Sequence, residues 1–303
     1  VPPGRWPRLA PFIRACNGDG SSLRCLHSHA GATVAAYAAE LRKLPRKAAC
    51  YVAARDGMKL CGVVGAEFDT DTGRAWLRGP FVAADCAFVP LAQALLDALI
   101  ATLPATLHRF DAFVDAGCDE ALGFYQARGY QRDAGDDELH LDLRDRAGSA
   151  SAVPHAVPAG VTLRAPQPTW RAPIAALHLA EFPNPYLSAA RLLGRQGPDR
   201  FTRIALLDGV PAGYLHAHFD AEWHEGYVDF VAVQPSARRR GVARALVAAA
   251  VDWARRRHHA RGVTLTVRAD RGGARALYES MGFVHVRTGV GLRWERAAAD
   301  LRA

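Results

Sequence analysis

The residues best suited by type and spacing to do chemistry lie between Glu225 and Arg244. Arg238 to Ala243 reads RRRGVA, set directly before an alanine- and leucine-rich run that predicts a helix over 238–256. The start of a helix leaves backbone N–H groups unpaired and carries the positive end of the helix dipole, so this turn suits an anion such as a phosphate. Gly241 permits close approach to the backbone, Ala243 keeps the next turn small, and the arginines add positive charge. The same residues would also serve as a basic loop capping an amphipathic helix, and both readings are open on this stretch alone. The spacing is neither G-x-x-x-x-G-K-[ST] nor G-x-G-x-x-G, which withdraws support from nucleoside triphosphate and dinucleotide sites.

The stretch before the turn, Tyr227 to Val233, is rich in β-branched and aromatic residues and predicts a strand. Period-two alternation puts Tyr227, Asp229, Val231 and Val233 on one face, and Glu225 joins them if the strand starts early. A carboxylate on that face could act as a base, directly or through a water; Asp229 could equally hold a neighbouring arginine or cap a loop. Glu222 and His224, in the preceding turn, are further options for the base. His216 and His218 share a strand face, but no third metal ligand is evident, and exposed or substrate-lining histidines are expected instead. His27 and His29, beside serine and glycine, point to nothing specific.

RRRGVA resembles the acyl-CoA loop of the GNAT acetyltransferase superfamily, R/Q-x-x-G-x-G/A, at Arg238, Gly241 and Ala243. ARALYESMGF, from Ala274 to Phe283, resembles the second signature of that superfamily, and the two stand in the family's order. The resemblance implies acetyl-CoA as cosubstrate. Its pyrophosphate would be held by Arg238, Arg239, Arg240, Gly241, Val242, Ala243 and Arg244, its pantetheine arm by the strand edge at Val231, Ala232 and Val233, with Arg271 and Ala274 completing the site. Tyr278 would be the acid that protonates the departing thiolate. An asparagine usually stands seven positions before that tyrosine, and this chain has Arg271 there. The implied reaction is direct transfer of the acetyl group to an amine in a ternary complex, with Asp229 or Glu225 as possible base and no metal. The expected acceptor is a small-molecule amine or amino acid derivative; a peptide or protein acceptor, or a non-catalytic acyl-CoA sensor, are the alternatives. EFPNPYLS, with Phe182, Pro183, Pro185 and Tyr186, stands where the family's acceptor loop falls and could wall the acceptor site or be a surface loop.

Positioning these residues requires a mixed α/β fold, and the chain supplies its elements twice. In the first half, strands are expected near 51–55, 59–68, 74–82, 109–114 and 138–143, with helices near 32–44, 91–103 and 120–128. In the second, a helical region over 172–193 precedes strands at 203–208, 213–219, 227–233, 262–268 and 285–294 and helices at 238–256 and 273–280. FYQARGYQ at Phe124–Gln131 echoes LYESMGFV at Leu277–Val284, which points to an internal duplication. The expected organisation is two tandem GNAT-like domains, 1–148 and 161–303, joined by an Ala/Gly/Ser/Pro-rich linker over 149–160. The first copy is expected to be degenerate. Its corresponding turn, AADCAFVPLAQ from Ala83 to Gln93, has no glycine, no arginine and a proline, and Tyr125, in the place of Tyr278, reads as a packed tyrosine.

A chain of 303 residues can bury two cores, and 22% charged residues is an ordinary globular share. The net charge of +8 raises the question of nucleic acid, but the arginines stand among alanines without interleaved aromatics, so no nucleic-acid partner is expected. Six cysteines show no C-x-x-C or zinc spacing and are expected as reduced thiols. With no signal-peptide pattern and no apolar run of membrane-spanning length, a cytoplasmic monomer or homodimer without membrane attachment is expected.

Overall fold

The computed structural model describes residues 1–17, 23–26, 33–144, 157–183, 185, 187–194, 197–221 and 223–296. His27, His29, Tyr186, Glu222 and residues 149–156 of the expected linker lie outside the described residues. The chain forms two compact units, Val1–Asp136 with Arg287–Ala303, and Asp137–Val286. These are not the two halves of the sequence: a division at 149–160 would leave 138–143 with the first unit and 285–294 with the second. Instead, the last strand of each half falls largely in the unit built by the other half. Strand periodicity identifies such segments but carries no information on which neighbour they pair with.

The first unit opens with a 3-10 turn over Pro3–Leu9 and α1 (Ala10–Cys16), then α2 (Val34–Lys43). The prolines at positions 2, 3, 7 and 11 stand where helix starts and a 3-10 turn tolerate a missing N–H. Strands β1 (Ala49–Asp56), β2 (Lys59–Asp69) and β3 (Arg74–Val82) form an antiparallel meander. Helix α3 (Phe88–Thr102) returns the chain to β4 (Arg109–Asp115), which pairs with β3 in parallel over only three positions. After α4 (Asp119–Ala127) and the short β5 (Gln131–Arg132), the sheet is closed by β12 (Val284–Glu295), antiparallel to β4 from Gly289 to Glu295. Phe110, Leu96, Leu99 and Tyr125 are fully buried in its core.

The second unit begins with β6 (Asp136–Asp142) and continues through β7 (Val161–Arg164), α5 (Arg171–Glu181), α6 (Ala189–Gly194), β8 (Arg200–Leu207), β9 (Val210–Asp220), β10 (Glu225–Val233), α7 (Val242–His258), β11 (Gly262–Arg268) and α8 (Gly272–Ser280). The sheet order is β7-β8-β9-β10-β11-β6, antiparallel from β7 to β10 and parallel between β10 and β11. Beside β11, the Leu143 N–H donates to the Arg261 carbonyl at 2.8 Å, so the N-terminal half supplies the strand that flanks β11.

Helix α7 forms because small and apolar residues recur on one side: Val242, Ala245, Leu246, Val247, Ala250, Val251 and Ala254 are buried against the sheet, while Arg255 to His258 stand at its negative end. Burial of a Leu or Val side chain stabilises by about 1.5–3 kcal/mol. The helix approaches β10 closely at Gly226, where an added Cβ would lie 2.9 Å from the Ala254 Cβ. On the other face, α5 and α6 cover Ile204, Tyr214, Phe230 and Ala232.

Candidate active site

The parallel pairing of β10 with β11 stops at Val228, opposite Leu265, whereas on its other edge β10 stays paired to β9 as far as Val233. The two parallel strands therefore part after Val228. This leaves the edge of 229–233 on the β11 side outside the ladder, where an extended ligand can add its own hydrogen bonds to the backbone. A register shift falls between Val228 and Phe230, so Asp229 is the extra residue of a bulge, inserted between the register positions of Ala217 and His216 on β9. The bulge resets the alternation: Val228, Val231 and Val233 pack on the α7 side, and Phe230 and Ala232 on the α5 side.

Beyond β10, a 3-10 turn over Pro235–Ala237 leads into the basic loop. Arg239 (φ 64°) and Gly241 (φ 77°) are both left-handed, and Gly241 is the N-cap of α7. The first helical bond at this end runs from the Ala245 N–H to the Gly241 carbonyl at 3.0 Å, which leaves the N–H groups of Val242, Ala243 and Arg244 ahead of the helical ladder. An added Cβ at Gly241 would lie 2.6 Å from Cγ of Pro158, so the loop has room for a glycine only.

The parted strand, this loop and α8 enclose a groove of about 960 Å3. Twelve of the expected cofactor residues line it: Val231, Ala232, Val233, Arg238, Arg239, Gly241, Val242, Ala243, Arg244, Arg271, Ala274 and Tyr278. Arg240 is not among its lining residues; its guanidinium points to the Asp208 carboxylate, 3.6 Å away. Tyr278 is 5% exposed, and burial pushes its phenol up to about 12. No hydrogen bond to its hydroxyl is made among the described residues.

Glu181, at the end of α5, lines the groove as well, and nothing in its local sequence marks it out. It accepts from Arg238 at 2.6 Å and from Arg271 at 3.4 Å, so the residue in the place of the usual asparagine takes part in an ion-pair bridge.

The two carboxylates expected as possible bases lie elsewhere. Asp229, half-buried with its side chain largely covered, accepts from His218 Nδ1 at 2.8 Å; Glu225, at the start of β10, accepts from the Thr264 hydroxyl at 3.2 Å with His140 3.8 Å away. Neither lines the groove. His216 is fully buried and paired with Thr202 at 2.7 Å, which explains one of the two histidines as packing. Among the described residues no group of three or more His, Cys, Asp or Glu could hold a metal, all six cysteines are free thiols, and no helix is long and apolar enough to cross a membrane.

The first unit has the same parted strands but not the same groove. Pairing of β3 with β4 ends at Trp76 opposite Asp111, and α3 starts at an Ala87 cap with no left-handed residue between the end of β3 and the helix. Tyr125 is fully buried and its hydroxyl donates to the Gly79 carbonyl of β3. The phenol that would face a cofactor is thus spent on the backbone of its own unit.

Comparison with known proteins bears on the whole arrangement. Residues 171–283 match the family model described as the acetyltransferase (GNAT) family. No curated protein matches the chain in sequence. Among solved structures, a GCN5-related N-acetyltransferase from Sphaerobacter thermophilus is similar over 97% of this chain and 93% of its own, with a TM-score of 0.69 at 21% identity. A tandem GNAT protein from the clavulanic acid biosynthesis pathway is similar over 97% and 94%, with a TM-score of 0.63 at 18% identity. A GCN5-related N-acetyltransferase from Kribbella flavida covers 84% of this chain and 93% of its own, with a TM-score of 0.58 at 20% identity. At these identities the likeness is one of fold, and that fold is the tandem one expected from the duplication.

Proposed function

From a chain that carries a domain of the acetyltransferase (GNAT) family at residues 171–283, we propose an N-acetyltransferase that moves the acetyl group of acetyl-CoA to an amine at the groove of the second unit. The observation that carries this reading is the joining, in one groove, of a parted strand edge, a glycine-capped helix start and a buried tyrosine with an uncommitted hydroxyl. The groove's volume lies in the range of roughly 300–1,000 Å3 usual for small-molecule sites.

The residues present fit acetyl-CoA. The N–H groups of Val242, Ala243 and Arg244, with Arg238 and Arg239, would hold its pyrophosphate, and the edge at Val231–Val233 its pantetheine arm. When bound, it supplies an acetyl group activated as a thioester. The strand edge aligns that group and can donate an N–H to its carbonyl oxygen. Tyr278 supports the departing sulfur. A phenol pushed up to about 12 stays protonated at every physiological pH, so its main contribution is a hydrogen bond to the developing thiolate, with the proton following only as charge builds there. The favoured acceptor is a small-molecule amine or amino acid derivative. The first unit, with Tyr125 committed and no glycine-capped cradle, is proposed to bind no acetyl-CoA.

Calorimetric titration of acetyl-CoA into the wild-type protein and a Gly241→Trp variant, followed by thiol-release assays with a panel of amines, tests the reading. One site per chain, lost in the variant, and thiol release that depends on an amine are expected. Binding without amine-dependent release would replace the enzyme with an acyl-CoA sensor; absence of binding would overturn both.

A further inference from the structure

Tyr214, His216 and His218 alternate onto the face of β9 that carries α5, and three histidines near that face are held in different ways. His178 of α5 uses both ring nitrogens inside the protein, Nδ1 with the Tyr214 hydroxyl and Nε2 with the Leu187 carbonyl at 2.8 Å. His216 is fully buried against Thr202. His218 alone has a side chain substantially open to solvent, 27% exposed, and its bond to Asp229 is through Nδ1.

That bond fixes the imidazole. An ionised carboxylate only accepts, so a neutral ring bonded to it carries its proton on Nδ1 and presents a lone pair at Nε2. Nε2 has no hydrogen-bond partner among the described residues. The carboxylate is set by the bulge: Asp229, the extra residue between Val228 and Phe230, has a side chain only 6% exposed and sits where β10 leaves β11. Two residues further on, about 7 Å along a strand, comes Val231, the first residue of the groove edge. The charged and titratable groups around His218 are Asp229 and Tyr227 on β10, the latter with ring centroids 5.5 Å apart, and Arg200, its register partner on β8.

We propose that His218 accepts the proton of the attacking amine through Nε2 and that Asp229 is the positioning residue that orients it. The inference rests on the acetyltransferase reading above; His218, like the two carboxylates, stands outside the groove lining, and what sets it apart from them is a partly exposed ring with an uncommitted Nε2. The amine nitrogen forms a bond to the acetyl carbon as the carbon–sulfur bond breaks; one N–H proton passes to Nε2, and the sulfur leaves with the bonding pair, supported by the Tyr278 hydroxyl. The imidazolium, still paired with Asp229, returns its proton to solvent.

The first unit supplies an internal control. Glu67 of β2 lies opposite Trp76 as His218 lies opposite Tyr227, and Arg78 stands two residues after Trp76 as Asp229 stands two after Tyr227. There the pair is an arginine held by two carboxylates: Arg78 Nε donates to Glu67 at 3.0 Å, and Nη1 donates to Glu40. A guanidinium has no lone pair to offer, so the copy without a glycine-capped cradle also lacks a histidine base.

The test uses the full chain, acetyl-CoA and a panel of a polyamine, an amino acid amide and an amino sugar. With the best acceptor, His218→Gln is expected to lose about 100-fold in kcat while acetyl-CoA affinity and melting temperature stay close to wild type. The limb of the wild-type pH–rate profile that rises with pH should disappear in this variant. Added imidazole should restore rate to His218→Gly but not to Asp229→Asn, whose amide can turn its own N–H to the ring and leave the wrong nitrogen protonated. A wild-type enzyme that transfers acetyl while His218→Gln keeps its rate and pH profile within threefold would overturn the inference and leave the acetyltransferase reading intact. No transfer by the wild type to any amine would remove both.

Discussion

Glu181 and Arg238 face each other within the groove beside α7, the carboxylate accepting from Nη2 at 2.6 Å while its second oxygen takes Arg271. Negative charge is thereby held where the proposed ligand carries phosphates. Glu181→Gln keeps the shape and one acceptor while removing that charge. We expect acetyl-CoA to bind several-fold more tightly to this variant at low salt, with the gain shrinking as ionic strength rises and the exposed charges are screened. Titration calorimetry at two salt concentrations checks this, and weaker binding would mean that Glu181 serves chiefly to hold the two arginines in place.

The two equivalent tyrosines should separate in their effects. Tyr278→Phe removes an uncommitted hydroxyl at the groove and is expected to lower kcat by about 100-fold, with little change in acetyl-CoA affinity. Because burial pushes the phenol up to about 12, its ionisation should cause no fall in wild-type rate below about pH 11. A pH–rate profile of both proteins decides.

Tyr125→Phe removes the donor to the Gly79 carbonyl inside the first unit. A lost buried hydrogen bond costs about 1–3 kcal/mol, so lower resistance to urea is expected, with the acetyl-CoA stoichiometry unchanged at one per chain. A change in stoichiometry would give the first unit a binding role.

Burial holds the His178 imidazole below the usual histidine range. Such a group binds more protons unfolded than folded, so stability rises with pH through the window between its folded and unfolded values. Its contribution is complete above the ordinary value of about 6.5 and is lost as pH falls below it towards the folded value. Urea unfolding of wild type and His178→Gln from pH 8 to pH 5 should show the variant less stable at pH 8 and flatter in its pH dependence.

Leu246 is fully buried under β10, and Leu246→Ala should cost about 2–5 kcal/mol. Thermal unfolding measures this directly, and a smaller loss would show that α7 settles into the vacated space.

Several features followed from sequence because they are local. A glycine after three arginines and before an amphipathic run can only be a turn into a helix, and twelve of the thirteen expected cofactor residues line one groove because they lie within two short segments flanking that geometry. Period-two alternation located β10, and the echo of LYESMGFV in FYQARGYQ revealed the duplication. Tertiary structure decided the rest, because it depends on residues distant in the chain. The bulge at Asp229 breaks the alternation that had placed it on one face with Val231; the ladder between β9 and β10 absorbs an extra residue there, and no single-strand pattern shows that. Only pairing of β9 with β10 brings His218 to Asp229, only the return of α5 brings Glu181 to Arg238 and Arg271, and only strand order assigns 137–142 and 287–295 to units built by the opposite half. Short-range propensity fixes which segments are strands and helices, whereas the choice of partner is made by the burial that the whole assembled sheet achieves.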